Sequence, residues 1–213
     1  MSAVRPTVVD VATPRLANID AFLASTDVVD WRHPDVVAQA RDLRGSLVDD
    51  GAIAQRCFEW VRDTIKHSSD HQLTVVTCAA PDVLRQGSGY CYAKSHLLAA
   101  LLRANGIPAG FCYQRLAVDD PGGPFCLHGI NAVWLPAFGW YRIDARGNRP
   151  GIDAQFTPPV ERLAFPIVHP GEADLPEIWP DPLPVVVNAL RAHTDAAALG
   201  RDLPDVVLWA ASR

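Results

Sequence analysis

Hydrophobic positions in the first third of the chain recur at helical spacing. His33-Pro34 precedes the segment "DVVAQARDL" and places a proline near the first turn, which predicts one helix. Asp49-Asp50 can cap a second, longer helix. The positions that recur at helical spacing in it are Ile53, Cys57, Trp60, Val61 and Thr64. We therefore predict two helices that pack on the core.

A further helix is predicted to be buried on most of its sides. Apolar residues between positions 92 and 104 occupy nearly every face instead of one stripe, which is typical of a central helix. Asn105-Gly106 favours a left-handed stop after it, and Pro108 prevents its continuation. Upstream, residues 81–85 can form one helical turn that leads to Gly87 and Gly89.

The chain after the central helix is predicted to form strands. The segments are "AGFCYQRLAV" to residue 118, "HGINAVWL" from His128 and "WYRIDA" to Ala145, with turns at 119–124 and 136–139. Helices followed by such strands predict an α+β fold, with the N-terminal helices and the central helix packed on one face of an antiparallel β-sheet. After Gly147 the chain is rich in proline, and it ends with a helical stretch near 185–193 and a short apolar tail.

Composition and charge narrow the classes of function. A chain of 213 residues with 49% hydrophobic residues is long enough for one substantial core, so a single soluble domain is expected. The formal charge of −5 argues against nucleic acid or an anionic membrane as a partner. The segment "MSAVRPTVVDVATP" lacks the apolar run of a secretion signal, and no stretch approaches the roughly 20 apolar residues of a membrane span. A cytoplasmic protein is therefore expected.

The cysteines do not follow a disulfide or zinc pattern. They are Cys57, Cys78, Cys91, Cys112 and Cys126. An odd count without a secretion signal argues against a disulfide framework, and no CxxC or HExxH spacing indicates a zinc site. We therefore expect neither a metal nor another cofactor. Each cysteine taken alone is interpreted as a small buried hydrophobe.

Cys91 differs because it follows the glycine turn "GSGY" and begins the buried helix. The start of a helix combines a positive dipole end with unpaired backbone N–H groups, and both favour a thiolate. A nucleophilic thiol also needs a base and a group that orients the base. His128 at the start of one strand and Asp144 at the end of the next are candidates. The alternatives are a hydrogen-bonded core histidine at 128 and a carboxylate at 144 that caps the following turn.

The register of these two strands decides whether His128 and Asp144 can meet. A symmetric hairpin about a four-residue loop, 136–139, would set Asp144 opposite Asn131 and put it on the other face from His128. A loop with an odd number of residues, or a bulge, brings Asp144 opposite Ile130 or Ala132, on the face of His128. We predict such an offset, with an Asp144 oxygen hydrogen-bonded to one ring nitrogen of His128 and the Cys91 sulfur near the other.

Four segments together resemble a known family. "DVLRQGSGYCYAKSHLLAALLRANGIPAGFCYQRL", "HGINAVWL" and "GWYRIDARGN" resemble the core of the bacterial transglutaminase-like superfamily of papain-like cysteine enzymes, and "CFEWVRDTIKHSSD" resembles the helix that precedes this core. The resemblance covers residues 53–148. It implies one transglutaminase-like domain over 1–213, with an N-terminal helical part at 1–52 and a C-terminal proline-rich extension at 149–213.

The resemblance also implies roles for three residues. Cys91 would be the nucleophile, His128 the base and Asp144 the residue that orients it. The sequence departs from the family at Gly129-Ile130, where Ala-Trp is frequent after the histidine, and at Ala145-Arg146, where Pro-Thr is common. These departures concern the choice of substrate.

The expected activity is acyl transfer or hydrolysis on a peptide or small amide, through a thioester. A protease, an amidase and an acyltransferase all fit, including one that takes its acyl group from a carrier thioester, and water or an amine can be the acceptor. The alternative is a transglutaminase-like fold retained as a non-catalytic binding module. The presence of all three residues favours the enzyme.

Further side chains are candidates for contact with the oxyanion or the substrate. Gln86, Trp60 and His67 can each supplement the backbone N–H of Cys91 as an oxyanion donor. Tyr90 and Asn131 are candidates for contact with substrate. The ordinary alternatives are a solvated loop glutamine, a core tryptophan and core aromatic packing. The polar loop at 67–71 either lies on the surface or overhangs the cleft, and we interpret it as surface.

Overall fold

The computed structural model describes residues 19–118 and 122–207. Three predictions lie partly or wholly outside these residues. They concern the first part of the N-terminal region, at 1–18, the first half of the turn at 119–124, and the apolar tail at 208–213.

The helices begin where the sequence places its caps. The Asp49 carboxylate accepts a hydrogen bond from the Ala52 N–H at 2.8 Å, and Pro34 occupies the first turn of the preceding helix. After a short 3-10 helix (Ile19–Leu23), the α-helices are α1 (Pro34–Arg44), α2 (Asp50–Thr64), α3 (Ala80–Gln86), α4 (Cys91–Ala104), α5 (Pro184–Ala192) and α6 (Ala196–Gly200).

Helix α4 is the central helix, as predicted. Its residues from Cys91 to Arg103 are all buried, and α1, α2 and α3 pack around it. It ends at Ala104 with Asn105 as its C-cap, and Gly106 takes a positive φ of 78°. Helix α3 spans seven residues, so it is longer than the single turn expected at 81–85.

The strands form two sheets. They are β1 (Lys66–His67), β2 (Ser88–Gly89), β3 (Ala109–Ala117), β4 (Phe125–Leu135), β5 (Gly139–Ile143) and β6 (Ala173–Asp174). The main sheet is antiparallel and has the order β5-β4-β3-β6, whereas β1 and β2 form a separate parallel pair. The α+β fold and its antiparallel sheet are therefore confirmed.

Different parts of the chain cover the two faces of the main sheet. On one face, Phe111 contacts His96 of α4 edge to face, and Asn131 donates to a carbonyl of the same helix. On the other face, Ile130 packs with Leu163 and Ile178 of the proline-rich extension. The helices thus cover one face, as expected, and the extension covers the other.

Strand β4 begins earlier than the sequence suggested. His128 was expected at the start of a strand, but the strand begins at Phe125 because residues 125–127 continue the ladder with β3. His128 therefore lies within the strand, opposite Gln114. Asp144, expected at the end of the next strand, directly follows β5.

The β4–β5 hairpin has the offset register that the sequence argument required. Leu135 pairs with Gly139, so the loop contains three residues, 136–138, and Asn131 pairs with Ile143. Continuing this register by one step sets Asp144 opposite Ile130, on the face of His128. The register prediction is confirmed.

Within the described part of the chain, no helix combines the length and apolar character needed to cross a membrane.

Candidate active site

Cys91 is positioned by a short parallel ladder and a glycine that cannot be replaced without a clash. The Lys66 N–H donates to the Gly87 carbonyl at 2.9 Å, and the Ser68 N–H donates to the Gly89 carbonyl at 3.1 Å. A Cβ on Gly89 would lie 2.8 Å from both Ala93 Cβ and Thr77 Oγ1. The close turn leads directly into α4 and leaves Cys91 in its first turn, with 7% of its surface exposed.

Asp144 is buried and accepts three hydrogen bonds. Its Oδ2 lies 2.8 Å from His128 Nε2 and accepts the Ala164 N–H at 3.0 Å, while its Oδ1 accepts the Arg146 N–H at 3.0 Å. Asp144 therefore caps the turn that follows it and also contacts His128. Burial opposes ionisation of Asp144, but His128 and these N–H groups keep the pKa of the carboxyl below its usual value.

His128 lies between Asp144 and Cys91. Because Nε2 contacts Asp144, Nδ1 is the ring nitrogen that remains for the hydrogen bond with the Cys91 thiol. Burial disfavours the imidazolium, yet the negative charges of Asp144 and Cys91 outweigh it and raise the pKa of His128 to about 10. Phe165 packs edge to face on the imidazole, with ring centroids 5.0 Å apart. The arrangement favours a charged imidazolium at neutral pH.

Gly129 allows the start of α4 to approach β4. A Cβ at this position would lie 2.9 Å from Tyr92 Cδ1 and 3.2 Å from Tyr92 Cα. Ser95 Oγ joins the two elements because it lies 2.9 Å from the Cys91 carbonyl and 3.1 Å from the Gly129 carbonyl. The close contact of strand and helix brings Cys91 beside His128.

A cavity of about 500 Å³ opens at this point. Four of the residues singled out from the sequence line it: His67, Tyr90, Cys91 and His128. The Tyr90 hydroxyl donates to the Ala196 carbonyl at 2.7 Å, and its ring contacts the imidazole of His67 edge to face. The structure therefore brings together residues from α4, β1, β4 and the loop that follows β5.

His67 is buried, although the loop at 67–71 was interpreted as surface. That interpretation is wrong for His67 and Ser68, which are both buried because the β1–β2 ladder holds them against Gly89. Burial and the positive charge of Arg146 lower the pKa of His67 to about 3, so its imidazole is neutral. Its Nδ1 is buried without a hydrogen bond, 3.7 Å from Asp70 Oδ2.

Three of the oxyanion and substrate candidates do not line the cavity. Gln86 is exposed at the end of α3, and Trp60 is half buried against the main core. Asn131 is fully buried, and its amide donates to the carbonyls of Ser95 at 3.0 Å and Gly110 at 3.2 Å. Asn131 points to the face of the sheet that α4 covers, which is the face opposite His128.

Several polar residues beside the cavity were not predicted from the sequence. Arg146 forms a bidentate ion pair with Asp70, at 2.7 and 2.9 Å. Lys94 is fully buried and donates to the carbonyls of Arg62 and Ile65, and burial lowers its pKa to about 7. A lysine in a helix predicted to be buried on most sides was a usable signal for Lys94. Asp70 and Arg146 lie in separate loops, so no local pattern connects them.

Comparisons with known proteins give one family match and several partial structural likenesses. The sequence model described as "Transglutaminase-like superfamily" matches residues 37–145, just over half of the chain. A candidate cysteine protease from Cytophaga hutchinsonii is similar in structure at 21% identity and a TM-score of 0.49, covering 65% of this chain and 45% of that one. The periplasmic domain of TgpA from Pseudomonas aeruginosa is similar at 24% identity and a TM-score of 0.42, covering 53% of this chain and 42% of that one.

The match to these structures is partial. This chain spans less than half the length of either solved chain. No curated protein matches the sequence.

Proposed function

Since this chain belongs to the transglutaminase-like superfamily, we propose that it is a cysteine enzyme that transfers the acyl group of an amide or ester to water or to an amine. The observation that carries the proposal is the arrangement of Cys91, His128 and Asp144. One thiol at a helix start, one histidine and one buried carboxylate meet in a chain of hydrogen bonds at the edge of a cavity.

The first half of the reaction forms a thioester. The Cys91 thiolate attacks the substrate carbonyl carbon, and the tetrahedral intermediate collapses as its bond to the leaving group breaks. His128 gives its Nδ1 proton to that leaving group. Asp144 remains ionised and keeps Nε2–H oriented, because it accepts from His128 and from two backbone N–H groups.

The second half of the reaction releases the acyl group. His128 is now neutral and accepts a proton from water or an amine, which attacks the thioester carbonyl. The carbon–sulfur bond breaks, the thiolate returns to Cys91, and the imidazolium is restored. Hydrolysis and acyl transfer differ only in this acceptor.

His67 is the side chain best placed to assist the backbone N–H of Cys91 in binding the oxyanion. Of the three donors considered from the sequence, it is the one that lines the cavity. Its imidazole is neutral, so one ring nitrogen carries a proton to donate. Because Nδ1 is buried, Nε2 is the nitrogen that can donate a hydrogen bond to an oxyanion in the cavity.

A trapped acyl-enzyme tests the proposal. The protein is mixed with p-nitrophenyl acetate, quenched in acid, and examined by intact and peptide mass spectrometry. We expect one acetyl group on Cys91, which disappears on longer incubation and disappears faster when an amine acceptor is added. Cys91→Ala should lose the adduct, whereas Cys126→Ala, which removes another thiol that lines the cavity, should keep it. An adduct that survives Cys91→Ala would overturn the proposal.

A further inference from the structure

The residues that line the cavity include two arginines and one glutamate. The arginines are Arg146 and Arg149, and Asp70 is the carboxylate that they share. Arg146 donates to both oxygens of Asp70, at 2.7 and 2.9 Å. Both carboxylate oxygens of Asp70 are thus hydrogen-bonded to the guanidinium of Arg146.

Arg149 is left with donors to spare. Its Nε lies 3.6 Å from Asp70 Oδ1, which is longer than a hydrogen bond, and 52% of its side chain is exposed. Among the described residues, none accepts a hydrogen bond from its guanidinium at hydrogen-bond distance. A guanidinium offers five N–H donors in a planar fork. Arg149 therefore places an accessible cation in the cavity that Cys91 also lines, in a chain whose formal charge is −5.

The negative charge on the cavity wall belongs to Glu172, and its carboxylate already has hydrogen-bond donors. Glu172 accepts the backbone N–H groups of Ala117, Val168 and His169, which hold the pKa of its carboxyl below the usual value. Leu116 and Phe165 add apolar surface. A cavity of about 500 Å³ accommodates an acyl group and one amino-acid unit.

We propose that Arg149 forms a carboxylate subsite, so that the substrate of Cys91 bears a free carboxylate near the carbonyl that is attacked. An N-acyl amino acid and the C-terminal residue of a short peptide are substrates of this class. The inference rests on the proposed function of Cys91. Arginine pairs with a carboxylate through two parallel N–H···O bonds, which fixes the orientation of the ligand as well as its position.

Two alkylating reagents of similar size test this subsite without a known substrate. N-iodoacetylglycine carries a carboxylate, and N-iodoacetylglycinamide is its neutral counterpart. The rate of Cys91 alkylation by each is followed by peptide mass spectrometry at low ionic strength. The quantity compared is the ratio of the anionic to the neutral rate.

Arg149→Gln should lower this ratio by about tenfold, because a charge-assisted hydrogen bond to the carboxylate is lost. Arg149→Lys should keep part of the preference, since the charge remains without the planar fork. Arg85→Gln is the matched control: it also removes one positive charge, but Arg85 lies on α3 with 66% of its side chain exposed and pairs with Asp82. Its ratio should equal that of the unmodified protein.

The outcomes separate the two proposals. An unchanged ratio in Arg149→Gln, with Cys91 still the first thiol alkylated, would overturn the carboxylate subsite alone. An equal fall in Arg149→Gln and Arg85→Gln would also overturn it, because overall charge would then explain the preference. A Cys91 that reacts no faster than the other cysteines would overturn the proposed function, and the subsite with it.

Discussion

His128 and His67 lie in the same cavity, yet their environments move their proton affinities in opposite directions. The two anionic neighbours of His128 overcome its burial and raise its pKa to about 10. His67 is equally buried but faces the positive charges of Arg146 and Lys94, and its pKa falls to about 3. Two titratable groups whose pKa values are driven apart suit different roles. We assign proton transfer to His128 and neutral hydrogen-bond donation to His67.

At the same scale, Cys91 should be the first thiol to react with iodoacetamide at about pH 6, because it stands at a helix start, beside His128, and lines the cavity. Burial raises the pKa of Cys57, Cys112 and Cys126 to about 12 and also raises that of Cys78. Peptide mapping after short exposure measures the order of labelling. Labelling of Cys57, Cys78 or Cys112 before Cys91 would contradict the assignment.

At the scale of elements, the site depends on short pieces of structure. The β1–β2 ladder spans two residues on each strand and places His67 beside Tyr90. The three-residue loop at 136–138 sets the β4–β5 register, and an edge-to-face contact between the paired Trp134 and Trp140, with ring centroids 5.7 Å apart, supports it. A shift of one residue would move Asp144 to the other face of the sheet.

Gly129→Ala should separate β4 from the start of α4, because the new Cβ would lie 3.2 Å from Tyr92 Cα. We expect slower alkylation of Cys91 and a loss of about 1–3 kcal/mol in the free energy of unfolding from overpacking. Both are measurable on one sample, by peptide mapping and denaturant titration. Gly51→Ala, in the first turn of α2, is the control and should leave the alkylation rate unchanged. An unchanged rate in Gly129→Ala would show that the close approach is not needed.

Leu98→Ala should destabilise the protein without touching the cavity. Leu98 is fully buried on α4, and truncation in a packed core costs about 2–5 kcal/mol. Cys91→Ala, on the same helix, removes one sulfur atom and should leave stability near that of the unmodified protein. Denaturant unfolding of both variants gives the comparison. A loss below about 1 kcal/mol for Leu98→Ala would contradict the central position of α4.

At the scale of the whole molecule, the site extends beyond the part that matches the family. The match ends at residue 145, but Ala164 donates to Asp144 and Phe165 packs on His128. The Leu127 N–H, next to His128, donates to the Pro204 carbonyl at 2.7 Å. The proline-rich extension therefore shields the His128–Asp144 pair as well as one face of the sheet.

The stability of the whole molecule should fall as the pH drops below 6.5. Burial lowers the pKa of His96 to about 4 and that of His67 to about 3, from a usual 6.5. Below pH 6.5 the unfolded chain therefore binds protons that the folded chain does not, and each histidine adds a slope of up to about 1.4 kcal/mol per pH unit. His96→Leu should reduce the slope of unfolding free energy between about pH 6 and 4.5 by one such contribution.

Denaturant titrations at several pH values measure this slope. His71→Gln, at an exposed histidine, is the control and should leave the slope as it is. Equal slopes for His96→Leu and the unmodified protein would contradict the role given to burial of His96.

The sequence by itself determined the order and type of the main elements. Caps, helical periodicity and the Asn105-Gly106 stop are local signals, so α1, α2 and α4 could be predicted from neighbouring residues. The order of Cys91, His128 and Asp144 was visible for the same reason, because each stands at or near the boundary of an element. Side chains alternate between the two faces of a sheet along each strand. The register could therefore be predicted from the requirement that His128 and Asp144 share one face.

Only the tertiary structure decided which other groups surround these three residues. Asp70 meets Arg146, and Ala164 meets Asp144, across loops whose residues share no local period. Gln86 was a candidate oxyanion donor but lies exposed at the end of α3. His67 lines the cavity because it belongs to β1, a strand of two residues that is too short to give a strand pattern in the sequence. Contacts between distant segments depend on how whole elements pack, and that information is not local in the chain.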